Sequence, residues 1–292
     1  MSYRRKQIVI AYALLLPAII YFTIFFFGPI AVELWASFYS GQPMVGESSF
    51  IGLGNYTRAL SDALVHRSLS ATMIYSFGST ILTICFALLF AAVLAGPTKG
   101  NNTVRAILFF PYIVSFVIGG LMWRAILDPF TGILNAALIS LNLPTQSWLA
   151  DPDAAIWVLV FVSSWKDIGY ATLIYIAAIQ GIPGHLYDAA RVDGARPTDQ
   201  MRDITLPLLM PTTLFLAVTL GISSLQELAL PYLMTGGGPA NSTRLYSLHV
   251  YETAFQDLNL GYSSALSFLM FLFILLVTFL QFRLLHRDIR HV

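Results

Sequence analysis

The run LSATMIYSFGSTILTICFALLFAAVLA, from Leu69 to Ala95, carries no charged side chain. It is longer than the roughly 20 residues an α-helix needs to cross about 30 Å of hydrocarbon. Five other blocks read the same way: Ala11 to Phe38, Val104 to Leu127, Ala154 to Gln180, Leu209 to Leu230 and Ser263 to Leu285. Each is continuously apolar rather than built from alternating ~10-residue segments, so the spanning element is a helix and not the strand of an outer-membrane barrel. Composition agrees, since 57% of the 292 residues are hydrophobic and 11% charged, against about 45–50% and about 25% in soluble domains. The expected fold is all-α, a single polytopic membrane domain over residues 1–292 with six transmembrane helices.

The first block follows Arg4, Arg5 and Lys6 as a signal peptide would. It outruns the usual h-region and lacks a small-residue cleavage site, so it reads as a retained anchor. Orientation follows from the basic residues, which concentrate in cytoplasmic loops. Arg4, Arg5, Lys6, Lys99, Arg105, Arg191, Arg196, Arg202, Arg283, Arg287 and Arg290 share the side of the N-terminus, and only Arg58, Arg67 and Arg244 lie opposite. Both termini are therefore expected in the cytoplasm, with residues 39–68 and 231–262 as external loops.

Several functions are disfavoured. A net charge of +1 gives no basic field for nucleic acid. The lone Cys85 permits neither an intrachain disulfide nor a cysteine-built metal site. All five histidines, His66, His185, His249, His286 and His291, fall in loops or tails, and no His-Glu-x-x-His or Gly-x-Ser-x-Gly pattern occurs. No catalytic residue or metal ligand is expected. Thr235-Gly236-Gly237-Gly238-Pro239 lacks the Gly-Lys-Ser/Thr of a phosphate loop; it reads either as a helix-ending turn or as a functional contact.

The most informative polar stretch is IPGHLYDAARVDGARPTDQMRDITLPLLMP, Ile182 to Pro211. Pro183 can open a short helix, Asp188 and Arg191 form an i, i+3 pair, and Ala189 and Ala190 permit close approach by a partner. Gly194 can close that helix in the left-handed region, Pro197 can open a second, and Pro207 and Pro211 lead into the fifth block. The physics alone leaves two readings open, a solvated loop or a docking lever.

The spacing Asp188-Ala189-Ala190, three residues, Gly194, nine residues, Ile204, one residue, Leu206-Pro207 resembles the EAA signature of ABC importer permeases, with Asp188 standing where the family has Glu. The likeness extends to its sugar branch, the maltose and glycerol-3-phosphate type, through Phe50-Ile51-Gly52-Leu53-Gly54-Asn55-Tyr56, the Thr235–Pro239 turn with Ser242-Thr243, and Tyr251, Ala254, Phe255 and Gly261-Tyr262. The resemblance implies a type I ABC importer permease in the bacterial cytoplasmic membrane. It implies that residues 182–208 form a coupling loop acting through Asp188, Ala189, Ala190, Asp193, Gly194, Ile204, Leu206 and Pro207. It further implies a second permease subunit, two ATP-binding subunits that hold the ATP and Mg, and an extracytoplasmic substrate-binding protein. This chain would bind no cofactor itself and would be no enzyme. The cargo implied is a sugar such as a di- or oligosaccharide, with glycerol-3-phosphate or a glycerophosphodiester as the alternative.

Polar residues inside spans mark function by default, because each costs about 2.5–3.5 kcal/mol at the bilayer centre. Lys166 and Asp167 lie mid-span beside Trp165 and Tyr170, and Gln226 and Glu227 lie in the outer half of the fifth block. Adjacent helical residues diverge by ~100°, so Lys166 and Asp167 cannot both face one pore. Gln226, Glu227 and Tyr170 are candidate polar contacts, with Trp165 and Tyr232 as aromatic faces for sugar C–H surfaces. Interhelical hydrogen bonding is the equal alternative for Lys166, Asp167, Gln226 and Glu227, and snorkelling is the reading for Arg124 and Glu33. An ion-coupled secondary transporter is the remote alternative, and no internal repeat supports it.

Overall fold

The computed structural model describes residues 3–285, save 44, 97 and 99. Lys99, Arg287, Arg290, His286 and His291 therefore lie outside the described residues, as do the side chains of Arg4, Arg5 and Lys6. Among the described residues every regular element is helical, and the single extended pairing is an isolated bridge between Tyr39 and Phe50. The chain divides into two compact units, Met1–Asp62 with Val250–Phe271, and Ala63–His249 with Leu272–Val292.

In the first unit α1 (Tyr3–Phe22) runs through a π-helical turn at Thr23–Phe27 into α2 (Gly28–Ala36). Gly28 N–H reaches back five residues to Thr23 O, immediately before Pro29, which has no N–H to give. The most apolar window of Ile10–Ala36 is entirely unburied, as a lipid-facing helix that is apolar all round should be. Beyond it, α3 (Gly54–Ser61) is anchored by the buried Asn55, whose Nδ2 donates to Ser37 O and Tyr39 O at 2.8 Å each. Tyr262 OH donates to Asp62 Oδ2 at 2.9 Å while Arg58 lies 4.0 Å over the Tyr262 ring.

The second unit begins with α4 (Ala63–Leu94), which buries a stripe of small residues: Ala71, Thr72, Ser76, Ser79, Thr83, Ala87 and Ala91. In lipid, where apolar area gives no net drive, such residues let helix backbones approach closely. After α5 (Asn101–Ile113), α6 (Phe116–Ile126) and α7 (Ile133–Ser140) comes α8 (Pro152–Gln180), the main partner of α4. Ser164 Oγ of α8 reaches Ser79 O at 3.2 Å. The next elements are α9 (Gly184–Val192), α10 (Pro197–Gln200), a π-helical turn at Met201–Thr205, α11 (Leu206–Leu208), α12 (Met210–Leu225) and α13 (Ala229–Met234); α14 (Tyr246–Phe255) and α15 (Leu260–Leu285) close the chain. Two apolar cores hold this unit. One gathers Tyr75, Leu159, Val162, Leu230 and Leu245, the other Ala87, Tyr175, Leu209 and Leu216.

Among the described residues three helices are long and apolar enough to cross a membrane unbroken: Ile10–Ala36, Ala63–Leu94 and Leu260–Arg283. The block expected as one helix over Val104 to Leu127 is instead broken, α5 and α6 meeting at 99°. Pro111 lacks the N–H that would tie the last turn of α5, and Ser115 begins a new helix by accepting from Val117 N at 3.3 Å. The block expected over Leu209 to Leu230 stops at Leu225, resumes as α13, and is bent by 60° at Leu209. The 29 residues of α8 suffice for a crossing, but Lys166 and Asp167 dilute its apolarity. The pattern is consistent with six crossings, two of them interrupted.

Candidate functional site

The interruptions surround a cavity of about 190 Å³ inside the second unit. Its walls come from α4 (Tyr75, Ser79, Thr80, Thr83), the α5–α6 break (Tyr112, Phe116), α8 (Ser163, Asp167, Tyr170) and the end of α12 with Glu227. Tyr112 and Tyr170 stack with centroids 4.7 Å apart and an interplanar angle of 11°. Ser76 of α4 shares a hydrogen bond of 2.6 Å with Ser224 of α12, itself a lining residue. The volume is below the ~300–1,000 Å³ of complete small-molecule pockets.

Lys166 and Asp167 separate as helix geometry requires. Asp167 lines the cavity. Lys166, 7% exposed, turns to the end of α5, where Nζ donates to Tyr112 O at 2.8 Å, to Pro111 O at 3.5 Å and to Val114 O. The rings of Phe116 and Tyr112 stand 4.7 and 5.3 Å from the ammonium. A helix C-terminus leaves its last carbonyls unpaired and carries partial negative charge, so a buried cation there satisfies both. Glu227 performs the opposite service: its Oε1 accepts from Leu230 N at 3.0 Å at the start of α13.

Of the seven pathway candidates, Asp167, Tyr170 and Glu227 line the cavity, and Trp165, Lys166, Gln226 and Tyr232 do not. Trp165 packs edge-on against Trp123 at 5.5 Å, and Gln226 and Tyr232 are exposed. Arg124 donates from Nη1 to Leu233 O at 2.9 Å, and Glu33 is exposed. The sequence reading missed Tyr75, Tyr112, Phe116 and the hydroxyl wall. The available signal was the spacing of Thr72, Ser76, Ser79, Thr80 and Thr83, which repeats every three or four residues along one face of α4.

The second candidate surface is α9, none of whose residues is buried. Pro183 stands at its N-cap, and Asp193 ends it with its N–H on Ala189 O at 3.0 Å. Gly194 follows at φ +81°, a conformation that disfavours any Cβ. Asp188 and Arg191 pair on the surface, and Val192 is 87% exposed. Tyr187 OH meets the buried Thr205 Oγ1 at 2.9 Å, tying α9 to the π-helical turn that contains Ile204. Leu206 and Pro207 line a shallow hollow with Arg202 and Met210. The Thr235–Pro239 turn closes on itself at the end of α13, Thr235 Oγ1 meeting Thr243 Oγ1 at 2.7 Å.

Outside the cavity, Asp128 follows α6 and forms a compact turn. Its Oδ1 accepts from Phe130 N at 3.0 Å, Thr131 N at 2.8 Å and Thr131 Oγ1 at 2.9 Å. The bonds from Thr131, with that from Phe130, hold this carboxyl below the usual carboxylate range.

Residues 84–291 match the family described as binding-protein-dependent transport system inner membrane component. The chain is 32% identical over 284 residues to the sn-glycerol-3-phosphate transport system permease protein UgpA of Brucella abortus, with 97% of each chain covered. It is 32% identical over 281 residues to the trehalose/maltose transport system permease protein MalF of Thermococcus litoralis, covering 95% of this chain and 93% of that one. A chain of a bacterial alginate ABC transporter, crystallised with an alginate pentasaccharide-bound periplasmic protein, superposes with a TM-score of 0.84 at 24% identity, over 97% of this chain and 96% of that chain. The chain therefore belongs to the family of binding-protein-dependent ABC transporter permeases, proteins of the cytoplasmic membrane, and has their type I importer fold.

Proposed function

We propose that this chain is one of two permease halves of a carbohydrate importer, in which ATP is hydrolysed by separate subunits and cargo is delivered by an extracytoplasmic binding protein. The observation that carries the reading is α9: a short helix with no buried residue, closed by a left-handed glycine, bearing Asp188, Ala189 and Ala190 on its surface. A helix that exposes Val192 so fully and yet is tethered through Tyr187 to the π-helical turn leading toward α12 suits a lever gripped by another protein. Closure of the ATPase pair would bias inward-facing against outward-facing states through that grip. Asp188, Ala189, Ala190, Asp193 and Gly194 would touch the ATPase, and Ile204, Leu206 and Pro207 would pass the motion into α12.

In this assignment the chain crosses the membrane six times, with both termini in the cytoplasm and residues 39–68 and 231–262 outside. It binds no nucleotide and no metal, and the cavity around Tyr112, Asp167 and Tyr170 is its share of the cargo path. The trehalose/maltose relative supports a sugar cargo, and the glycerol-3-phosphate relatives favour a phosphorylated polyol as the second reading. Copurification tests the assembly. Gly194→Leu, which forces a branched side chain into a left-handed backbone, is expected to release the ATPase from the membrane complex. Undiminished capture of the ATPase by that variant, or ATP-independent flux through the isolated chain, refutes the assignment.

A further inference from the structure

Resting on the importer reading, we infer that the cavity is selective for saccharide units without anionic groups, and that Asp167 is its specificity-determining residue. The lining holds two carboxylates, Asp167 and Glu227, and no Lys, Arg or His. The adjacent cation does not offset them toward cargo, because Lys166 is spent on the carbonyls of Tyr112 and Val114. Glu227 is committed to Leu230 N, whereas Asp167 makes no hydrogen bond with any described residue and is the acceptor left for cargo. A buried donor faces the same space: Thr80 Oγ1 has no hydrogen-bond partner among the described residues. The Tyr75 hydroxyl, beside Ser163, lines it too. A buried hydroxyl without a protein partner is available to a ligand.

A free carboxylate takes two vicinal sugar hydroxyls as donors, the Thr80 hydroxyl serves a ring or hydroxyl oxygen, and the stacked Tyr112–Tyr170 pair offers a face to C–H groups. A uronate carboxylate or a phosphate would instead meet Asp167 as a like charge in a poorly solvated space. This separates the chain from a glycerol-3-phosphate or acidic-polysaccharide carrier.

The test uses proteoliposomes holding the complete transporter with its partner subunits, supplied with the cognate binding protein. ATP-dependent uptake of a neutral maltooligosaccharide, an oligouronate and glycerol-3-phosphate is measured and normalised to occupancy of the binding protein. Uptake of the anionic probes at least about tenfold below the neutral one, with Asp167→Asn raising the anionic-to-neutral ratio, is the expected result; a tenfold change corresponds to about 1.4 kcal/mol. A purely structural role for Asp167 would lower both rates and leave the ratio fixed, which overturns the assignment. Wild-type transport of glycerol-3-phosphate or a uronate at the neutral rate also overturns it while sparing the importer reading. Absence of ATP-driven uptake of any saccharide that the binding protein captures, neutral or anionic, overturns the carbohydrate-importer reading itself.

Discussion

Replacing Gly169 with Ala should unseat α5 from α8. A Cβ on Gly169 would lie 1.9 Å from Leu108 O, 2.5 Å from Leu108 C and 2.7 Å from Phe109 Cα. All three are backbone atoms of α5, so no rotamer change relieves the clash. Restoring ordinary contact, which begins near 3.4 Å, requires α5 to retreat by ~1.5 Å. That shift would break the 2.8 Å bond from Lys166 Nζ to Tyr112 O and slide Tyr112 off Tyr170. Overpacking costs about 1–3 kcal/mol, and losing a hydrogen bond to a charged group costs about 1.5–3 kcal/mol. The sum is about 2.5–6 kcal/mol, and the cavity wall is lost with it. Equilibrium unfolding in detergent reads the first effect, and reconstituted uptake reads the second. Gly119→Ala is the control, since its Cβ would meet nothing nearer than Trp165 at 3.9 Å; it should stay within about 0.5 kcal/mol of wild type. If Gly169→Ala unfolds like Gly119→Ala and transports normally, the close crossing of α5 and α8 is wrong.

Lys166→Met should destabilise by about 1.5–3 kcal/mol by leaving the α5 carbonyls unpaired, measured by thermal unfolding; a neutral effect would remove Lys166 as the cap of the broken helix. Tyr187→Phe should cost about 1 kcal/mol by deleting the tie to Thr205, and should lower cargo-stimulated ATP hydrolysis without reducing ATPase copurification; unchanged hydrolysis would exclude that tie from coupling. The Asp128 carboxyl is depressed on folding, so its ionised form holds the turn at neutral pH and the turn loosens as pH falls through that lowered value. Titration of its carboxyl carbon by NMR should give a midpoint below that of the same residue in an isolated peptide, and an equal or higher midpoint refutes the turn.

The existence of the helices was legible because apolar runs above about 20 residues leave the backbone no other way to satisfy itself in lipid. Legible too was the α9 segment, where Pro183, the Asp188–Arg191 spacing and Gly194 each act through local geometry. The break between α5 and α6 was harder to see. Its signals, Pro111 and Ser115, sit inside an unbroken apolar run, and hydropathy averages across them. The fate of Lys166 was half legible: helical geometry required it to diverge from Asp167, but its acceptors are carbonyls more than 50 residues away that become free only because α5 ends there. Tyr75 and Tyr112 were invisible for a related reason, since a tyrosine in an apolar run reads as core until the partner helices are placed around it.

The break, the cap and the cavity are one device. A continuous third span would pair its own carbonyls and leave Lys166 without acceptors in hydrocarbon, where an unpaired charge costs about 2.5–3.5 kcal/mol or more. Breaking the helix supplies those acceptors and turns Tyr112 and Phe116 onto the cavity wall. It also draws Lys166 away from the cavity, whose lining carries the carboxylates of Asp167 and Glu227. The fifth span follows the same logic with opposite charge: α12 ends at Leu225, and Glu227 satisfies the first N–H groups of α13. Interrupted helices thus consume one charge of each sign in holding the backbone, and the single carboxylate left over is the one that discriminates. Removing the cap by Lys166→Met should therefore alter cavity shape without altering the anionic-to-neutral uptake ratio, whereas Asp167→Asn should raise that ratio without disturbing the shape. If both variants changed the anionic-to-neutral uptake ratio alike, holding the backbone and selecting cargo would not be separable tasks.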